Sequence, residues 1–233
     1  METPRSLTVD AVIPARDEAP TVSPVVEACR GCSYVRDVIV VDDGSLDLTG
    51  DLARSAGAKV IRRERAERDS KAEAMHDGVS ASDAHAILFV DADCLGLTPT
   101  HLDDICRPYA EGRATMSIGC FDYGWLNPVV LRLPPTTGER IIPRWVWEEI
   151  PVQKRRGWTA EIMINEVIAE RRLPTTARTM RGVTHRTKRE KRGLVPGWRE
   201  TWRMFWVLLG LPLRGVVRWR TYWWYLRELT VDG

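Results

Sequence analysis

The sequence is poor in the features that announce several common classes. It has five cysteines, Cys29, Cys32, Cys94, Cys106 and Cys120, in 233 residues. An odd, sparse set does not build a disulfide framework, and reduced thiols are expected. Cys29 and Cys32 form a single CxxC without the second pair that a structural zinc site needs. No apolar run is long enough to span a bilayer. The longest, Met204 to Leu213, holds ten residues and includes Gly210 and Pro212, against about 20 for a spanning helix. The N-terminal stretch lacks the basic and apolar regions of a secretory signal. There is no internal repeat and no low-complexity linker. A cytoplasmic protein is therefore expected, with the membrane reached from its surface if at all.

What is present is unevenly placed. The formal net charge is +2. From Arg181 onward there are 12 Lys and Arg against 4 Asp and Glu, a net of +8, leaving −6 on the rest. An acidic body carries a basic tail, which suits an anionic partner. Six of the ten tryptophans fall between Trp198 and Trp224. Trp198, Trp202 and Trp206 share one helical face, and Trp219, Trp223 and Trp224 mix with Arg214, Arg218 and Arg220. Basic, aromatic, amphipathic helices of this kind lie on anionic membrane surfaces, or pack on protein as a body or homodimer contact. No nucleic-acid partner is expected.

Along the first 121 residues, strand and helix patterns alternate at short intervals. "LTVDAVIPA", "VRDVIVVDDGS", "AKVIRR", "AHAILFVDADC" and "RATMSIGCFDY" read as strands. "APTVSPVVEACRGC", "LDLTGDLARSAG", "SKAEAMHDGVSAS" and "TPTHLDDICRPYAEG" read as helices, the last with Thr98 as N-cap and Pro99 at its first position. The pattern predicts an open, Rossmann-like α/β sheet. Its ligand belongs at the carboxyl ends of the strands. Acidic clusters stand at three of those ends: Asp17-Glu18, Asp42-Asp43 and Asp91-Ala92-Asp93. Period-2 alternation would set Asp91 and Asp93 on one side of their strand. Converging carboxylates call for a divalent cation, Mg²⁺ or Mn²⁺, completed by substrate phosphates. Beyond residue 122 a Pro- and Gly-punctuated excursion is expected, then a helix in "GWTAEIMINEVIAERRLP", then a strand running into a basic loop.

In their order and spacing, "VIPARDEAPTV", "VIVVDDGSLDLT", "SKAEAMHDGV" and "ILFVDADC" resemble the nucleotide-sugar half of family 2 glycosyltransferases. "TTGERIIP", "GWTAEIMINEVI" and "RGVTHRTKREKRGL" resemble the acceptor half of the small bacterial members. Those include glucosyl-3-phosphoglycerate synthases and polyprenyl-phosphate sugar transferases. The resemblance covers roughly residues 7 to 195. It implies one domain of the A-type glycosyltransferase fold over 1–195, with a nucleotide-sugar half (1–121) and an acceptor half (122–195). An amphipathic helical extension follows over 196–233. It implies transfer of a sugar from a nucleoside-diphosphate sugar, a UDP-sugar, to a small or lipid-linked, phosphorylated acceptor.

Carried over by position, Pro14, Ala15, Arg16, Glu18, Asp43 and Ser45 would line the nucleoside pocket. Lys71 would approach base or phosphates. Asp91 and Ala92 would meet ribose or sugar, and Asp93 and His185 would hold the metal. Gly138, Glu139 and Arg140 would face the acceptor, and Glu161 would serve as base. Two positions depart from the family pattern: Arg16 stands where asparagine is usual, and Ser70-Lys71-Ala72 where Gly-Lys-Gly is. A sugar-1-phosphate nucleotidyltransferase shares the α/β layout, but "PARDEAP" has no glycine for its phosphate loop. A catalytically silent membrane-surface scaffold is the third reading. His76, His85 and His101 have no partner pattern and are expected on the surface.

Overall fold

The structure is a computed structural model that describes residues 7–66, 70–122, 137–155, 159–185 and 218–232. Strands β1 (Val9–Ala15), β2 (Val35–Asp42), β3 (Lys59–Arg62) and β4 (Ala86–Phe89) alternate with helices α1 (Val22–Gly31), α2 (Thr49–Ser55) and α3 (Lys71–Ser80). Then come a short β5 (Cys94–Leu95), α4 (Pro99–Ala110), β6 (Met116–Phe121), β7 (Arg140–Pro143) and α5 (Arg144–Glu148). Helix α6 (Ala160–Glu170), β8 (Thr175–Met180), β9 (Thr184–His185), α7 (Trp219–Glu228) and β10 (Thr230–Asp232) complete the described chain.

Eight strands form one sheet in the order β10-β8-β6-β7-β4-β1-β2-β3. Strands β1 to β4 pair in parallel, as do β6, β8 and β10. Strand β7 runs antiparallel to both β4 and β6 and joins the two parallel blocks. The expected excursion after residue 122 thus returns as a central strand. Residues 123–136 of that excursion lie outside the described residues.

Alternation along each strand divides the core between two faces. Ala11, Ile13, Leu88 and Ile141 meet one apolar cluster, which takes in Val22, Val26, Leu102 and Ile105 from α1 and α4. Val12, Ile87, Phe89 and Ile142 meet the other, with Met75, Ile164 and Ile168 from α3 and α6. Buried on both faces, the central strands read as unbroken apolar runs.

Thr98 caps α4 as expected, in a reciprocal capping box with His101, and Pro99 occupies the first turn. His101 therefore has a structural partner. So do His85, whose Nδ1 lies 2.8 Å from Thr8 Oγ1, and His76, whose Nδ1 lies 3.1 Å from Arg155 Nη1.

The described part of the tail, 218–232, packs on the body. Tyr225 of α7 is fully buried in the second cluster, its hydroxyl donating to the Asn165 carbonyl at 3.3 Å. Strand β10 extends the sheet alongside β8. Trp198, Trp202 and Trp206 lie outside the described residues.

Candidate functional site

The carboxyl ends of β1, β2 and β4 lie along one edge of the sheet, set by their parallel register. After β1 the chain turns at Asp17, whose φ of 56° is in the left-handed region. The Asp17 N–H donates to Ser45 Oγ at 3.0 Å, and Asp17 Oδ1 accepts from the Leu46 N–H at 2.8 Å. These bonds tie the first loop to the second. Glu18, mostly buried, donates its N–H to Thr49 Oγ1 at 2.8 Å. Pro14 is half-buried and Ala15 buried beneath the loop. Ala15 O accepts from the Asp43 N–H at 2.8 Å.

Asp43 is held by three donors. Arg16 Nη2 and Ser70 Oγ donate to Oδ2 at 2.5 and 2.6 Å, and Arg63 Nη1 donates to Oδ1 at 2.7 Å. Arg16 Nε also reaches the Asp43 carbonyl at 3.0 Å. The two positions that depart from the family pattern, Arg16 and Ser70, thus act together on one carboxylate.

A second charge cluster stands under β4 and β7. Lys71, the first residue of α3, places Nζ 2.7 Å from Asp91 Oδ1 and 2.8 Å from Glu161 Oε1. Burial works against its charge, but the two carboxylates hold the ammonium well above the usual lysine range. Glu161 is 3% exposed, and its Oε2 has no hydrogen-bond partner. The lead-in to β7 comes close: a Cβ at Gly138 would overlap the Asp91 carboxylate.

Glu139, next along, is fully buried and accepts from Cys94 Sγ at 3.0 Å and from the Thr137 hydroxyl. Burial, reinforced by the Asp91 charge, raises its carboxyl to about 7. Arg140 differs from the sequence expectation of an acceptor contact. It is fully buried, donating to Asn165 Oδ1 at 3.0 Å, to the Glu161 carbonyl at 3.2 Å and to the Thr137 carbonyl. In this position it braces the start of α6 against β7. Burial lowers its pKa, and the nearby Glu161 charge opposes that.

The Asp-x-Asp is not on a strand. Strand β4 stops at Phe89, and Ala92 and Asp93 form a turn, so strand alternation does not orient the pair. The turn leads into β5, which pairs antiparallel with β9 so that Cys94 faces His185 in register. This ribbon brings His185, exposed and 5.0 Å from the Phe121 ring, to the same edge as half-buried Asp93. Gly96 (φ 75°) permits it: a Cβ there would sit 2.7 Å from the Gly182 carbonyl oxygen. Among the described residues no group of three or more His, Cys, Asp or Glu could hold a metal alone. One carboxylate and one imidazole suit a hard cation whose shell is completed by phosphate oxygens and water.

Lys71, Asp91, Gly138, Glu139 and Glu161 are therefore one cluster. Arg16, Asp43 and Ser45 form a neighbouring one, and Asp93 and His185 flank the turn between β4 and β5. Sequence reasoning missed Arg63, Cys94 and Asn165. Arg63 follows directly on β3, the same strand-end placement that marked Asp43 and Asp91.

Residues 10–162 match the family described as glycosyl transferase family 2. A glucosyl-3-phosphoglycerate synthase of Mycolicibacterium paratuberculosis is 33% identical over 112 residues, 45% of this chain and 34% of that protein. A 4,4'-diaponeurosporenoate glycosyltransferase of Staphylococcus aureus is 32% identical over 108 residues, 45% of this chain and 28% of that one. The aligned region is thus about a third of these relatives' length. Among solved structures, glucosyl-3-phosphoglycerate synthase of Mycobacterium tuberculosis in complex with Mg²⁺ and UDP superposes with a TM-score of 0.67. The pair is 24% identical, over 78% of this chain and 72% of that one. Another complex of that enzyme, with Mn²⁺, UDP-glucose and phosphoglyceric acid, superposes with a TM-score of 0.64, at the same identity and coverage. The superpositions show the A-type glycosyltransferase fold, and with well over half its length matched the chain belongs to glycosyl transferase family 2.

Proposed function

We propose that this chain transfers a sugar from a nucleoside-diphosphate sugar, with UDP as the nucleotide, to a small or lipid-linked phosphorylated acceptor. The observation that carries the reading is the Asp91–Lys71–Glu161 cluster at the carboxyl edge, with Glu161 Oε2 unpartnered beside it. Asp43, Ser45 and the β1 loop form the nucleoside side. Asp91 and Gly138 bound the sugar, and Asp93 and His185 hold Mg²⁺ or Mn²⁺. When bound, the cation offsets the charge gathering on the departing diphosphate.

Glu161 is the base. Its Oε1 is fixed by Lys71, so Oε2 is left to take the acceptor hydroxyl proton as the oxygen attacks the anomeric carbon. Arg140 and Asn165 hold that stretch of α6 in place from behind. Glu139, mostly protonated just below neutral pH, adds little negative charge where the diphosphate must sit. The related enzyme crystallised with UDP-glucose and phosphoglyceric acid supports a UDP-sugar and an acidic acceptor. No helix among the described residues is long and apolar enough to cross a membrane. Exposed Trp219, Trp223 and Leu226 on α7 support contact with a membrane surface instead.

Calorimetric titration of UDP in the presence of Mn²⁺ tests the assignment. The native chain should bind, and Asp93→Ala should bind at least tenfold more weakly. Equal binding by the two would remove Asp93 from the cation site. A mass-spectrometric donor screen with Mn²⁺ present should show slow hydrolysis of one UDP-sugar; inertness toward every donor would leave the fold without the transferase chemistry.

A further inference from the structure

Strands β6 and β8 run the same way as β1 and β4, because β7 is antiparallel to both β4 and β6. Their amino ends therefore lie at the edge of the sheet opposite the Asp91 cluster. There, between α7, the end of α6 and the start of β8, is a cleft of about 880 Å³. Its wall carries five arginines, Arg113, Arg172, Arg218, Arg220 and Arg227, against two glutamates, Glu170 and Glu228. Arg218 is neutralised by Glu170 at 2.6 Å, and Arg113 by Glu111 at 2.5 Å. Arg172, Arg220 and Arg227 form no ion pair with any described residue.

All three are exposed, and Glu228 is the wall carboxylate left to offset them, so the cleft offers an anion a net positive charge. The rest of the lining suits a ligand too. Trp223 and Trp224 supply aromatic faces. Thr176 also lines the cleft; it is 6% exposed and its hydroxyl has no hydrogen-bond partner. A buried polar atom left unpaired is uncommon enough to need a reason.

The backbone adds a further observation. Helix α6 ends with the Leu173 N–H donating to the Ile168 carbonyl at 3.0 Å and the Arg172 N–H to the Ala169 carbonyl at 3.2 Å. This is a Schellman ending, and its left-handed position is usually glycine. Here it is Arg172, at φ 53°. The chain keeps a guanidinium at the cleft where a glycine would fit with less strain.

We infer that this cleft is a second ligand site, binding a phosphate-bearing ligand through Arg172, Arg220 and Arg227. The phosphate seats between the three guanidinium groups, which match its oxygens in pairs. The ligand's apolar or aromatic part lies along Trp223 and Trp224. The inference stands independently of the transferase reading, because it uses none of the residues at the carboxyl edge.

The test uses the full chain with EDTA present, so that a cation-dependent site does not contribute. Inorganic pyrophosphate is titrated calorimetrically, and flotation is measured on phosphatidylglycerol against phosphatidylcholine vesicles. The native chain should bind pyrophosphate or float with the anionic vesicles. The double variant Arg172→Gly, Arg227→Ala should lose at least tenfold in that binding while keeping Mn²⁺-dependent UDP binding. Both changes suit their backbones, so a native melting curve is expected. Arg220→Glu, on the exposed side of α7, should show the same loss without touching α6. Pyrophosphate binding assigns a soluble phosphate ester as the ligand, whereas flotation without pyrophosphate binding assigns a lipid headgroup. Binding of neither probe, or binding unchanged in both variants, overturns the inference.

Discussion

Lys71 is the residue on which the carboxyl-edge cluster depends. One ammonium answers two carboxylates, Asp91 and Glu161, at 2.7 and 2.8 Å. Replacing it with methionine keeps the length of the side chain and removes the charge. Glu161, almost wholly buried, would then lack the side-chain partner that Lys71 supplies. Leaving a buried hydrogen-bonding group without its partner costs about 1–3 kcal/mol, and the partly exposed Lys71 keeps the loss in that range. Lys71→Met should therefore lower stability in urea by about that amount, and Glu161→Gln added to it should recover part of the loss. Strictly additive single and double variants would mean that the two groups do not interact. A comparable dependence holds at Asp43, but it is divided among Arg16, Arg63 and Ser70, so each single loss there is expected to matter less.

Strand β7 shows what an element of four residues can position. Its lead-in carries Gly138 against Asp91 and then Glu139, and its first residue is Arg140; Glu139 and Arg140 are both fully buried. Gly138→Ala should push the Asp91 carboxylate aside. We expect a loss of about 1–3 kcal/mol from overpacking, read as a lower melting temperature, and at least tenfold weaker UDP binding with Mn²⁺. An unaffected variant would show that the approach of β7 to Asp91 is not tight. The apolar runs of β1, β2 and β4 made those strands legible in the sequence, and the acidic residues after them marked the edge. Strand β7 was not legible, because "RIIP" is short, opens on an arginine and ends on a proline. Arginine is almost never fully buried unless paired, and two of the partners of Arg140, the Glu161 carbonyl and the Asn165 side-chain amide, lie 21 and 25 residues along the chain. The Asp-x-Asp was legible as chemistry but misplaced as structure. An apolar run does not say where pairing stops, and here it stops at Phe89.

At the scale of the whole molecule, Glu139 links stability to pH. Its carboxyl is raised from 4.5 to about 7 in the folded chain. The folded state therefore holds a proton that the unfolded state has released across that interval. Its stabilising contribution is complete below about pH 4.5 and is lost as pH rises through about 7. By the usual conversion this amounts to roughly 3 kcal/mol. Asp17 has the opposite sign. Its hydrogen bond from Arg65 lowers its pKa, so its contribution is lost only as pH falls into the acid range. Urea titrations between pH 5 and pH 8 should show stability declining toward the alkaline end, and Glu139→Gln should flatten that slope; an unchanged slope would place the titration elsewhere. The central position of β7 also has a kinetic side. The β1–β4 block and the β6–β8 block touch no common strand until β7 enters between them. Paired residues of β6 and β7 are 22–24 apart in sequence, against 51–57 for β4 and β7, 59 for β6 and β8 and 77 for β1 and β4, so loop closure favours the β6–β7 pair over the other three. The carboxyl-edge cluster, whose Glu139 arrives just ahead of β7, would then close when the β6–β7 pair docks on β4 and brings Glu139 to Asp91.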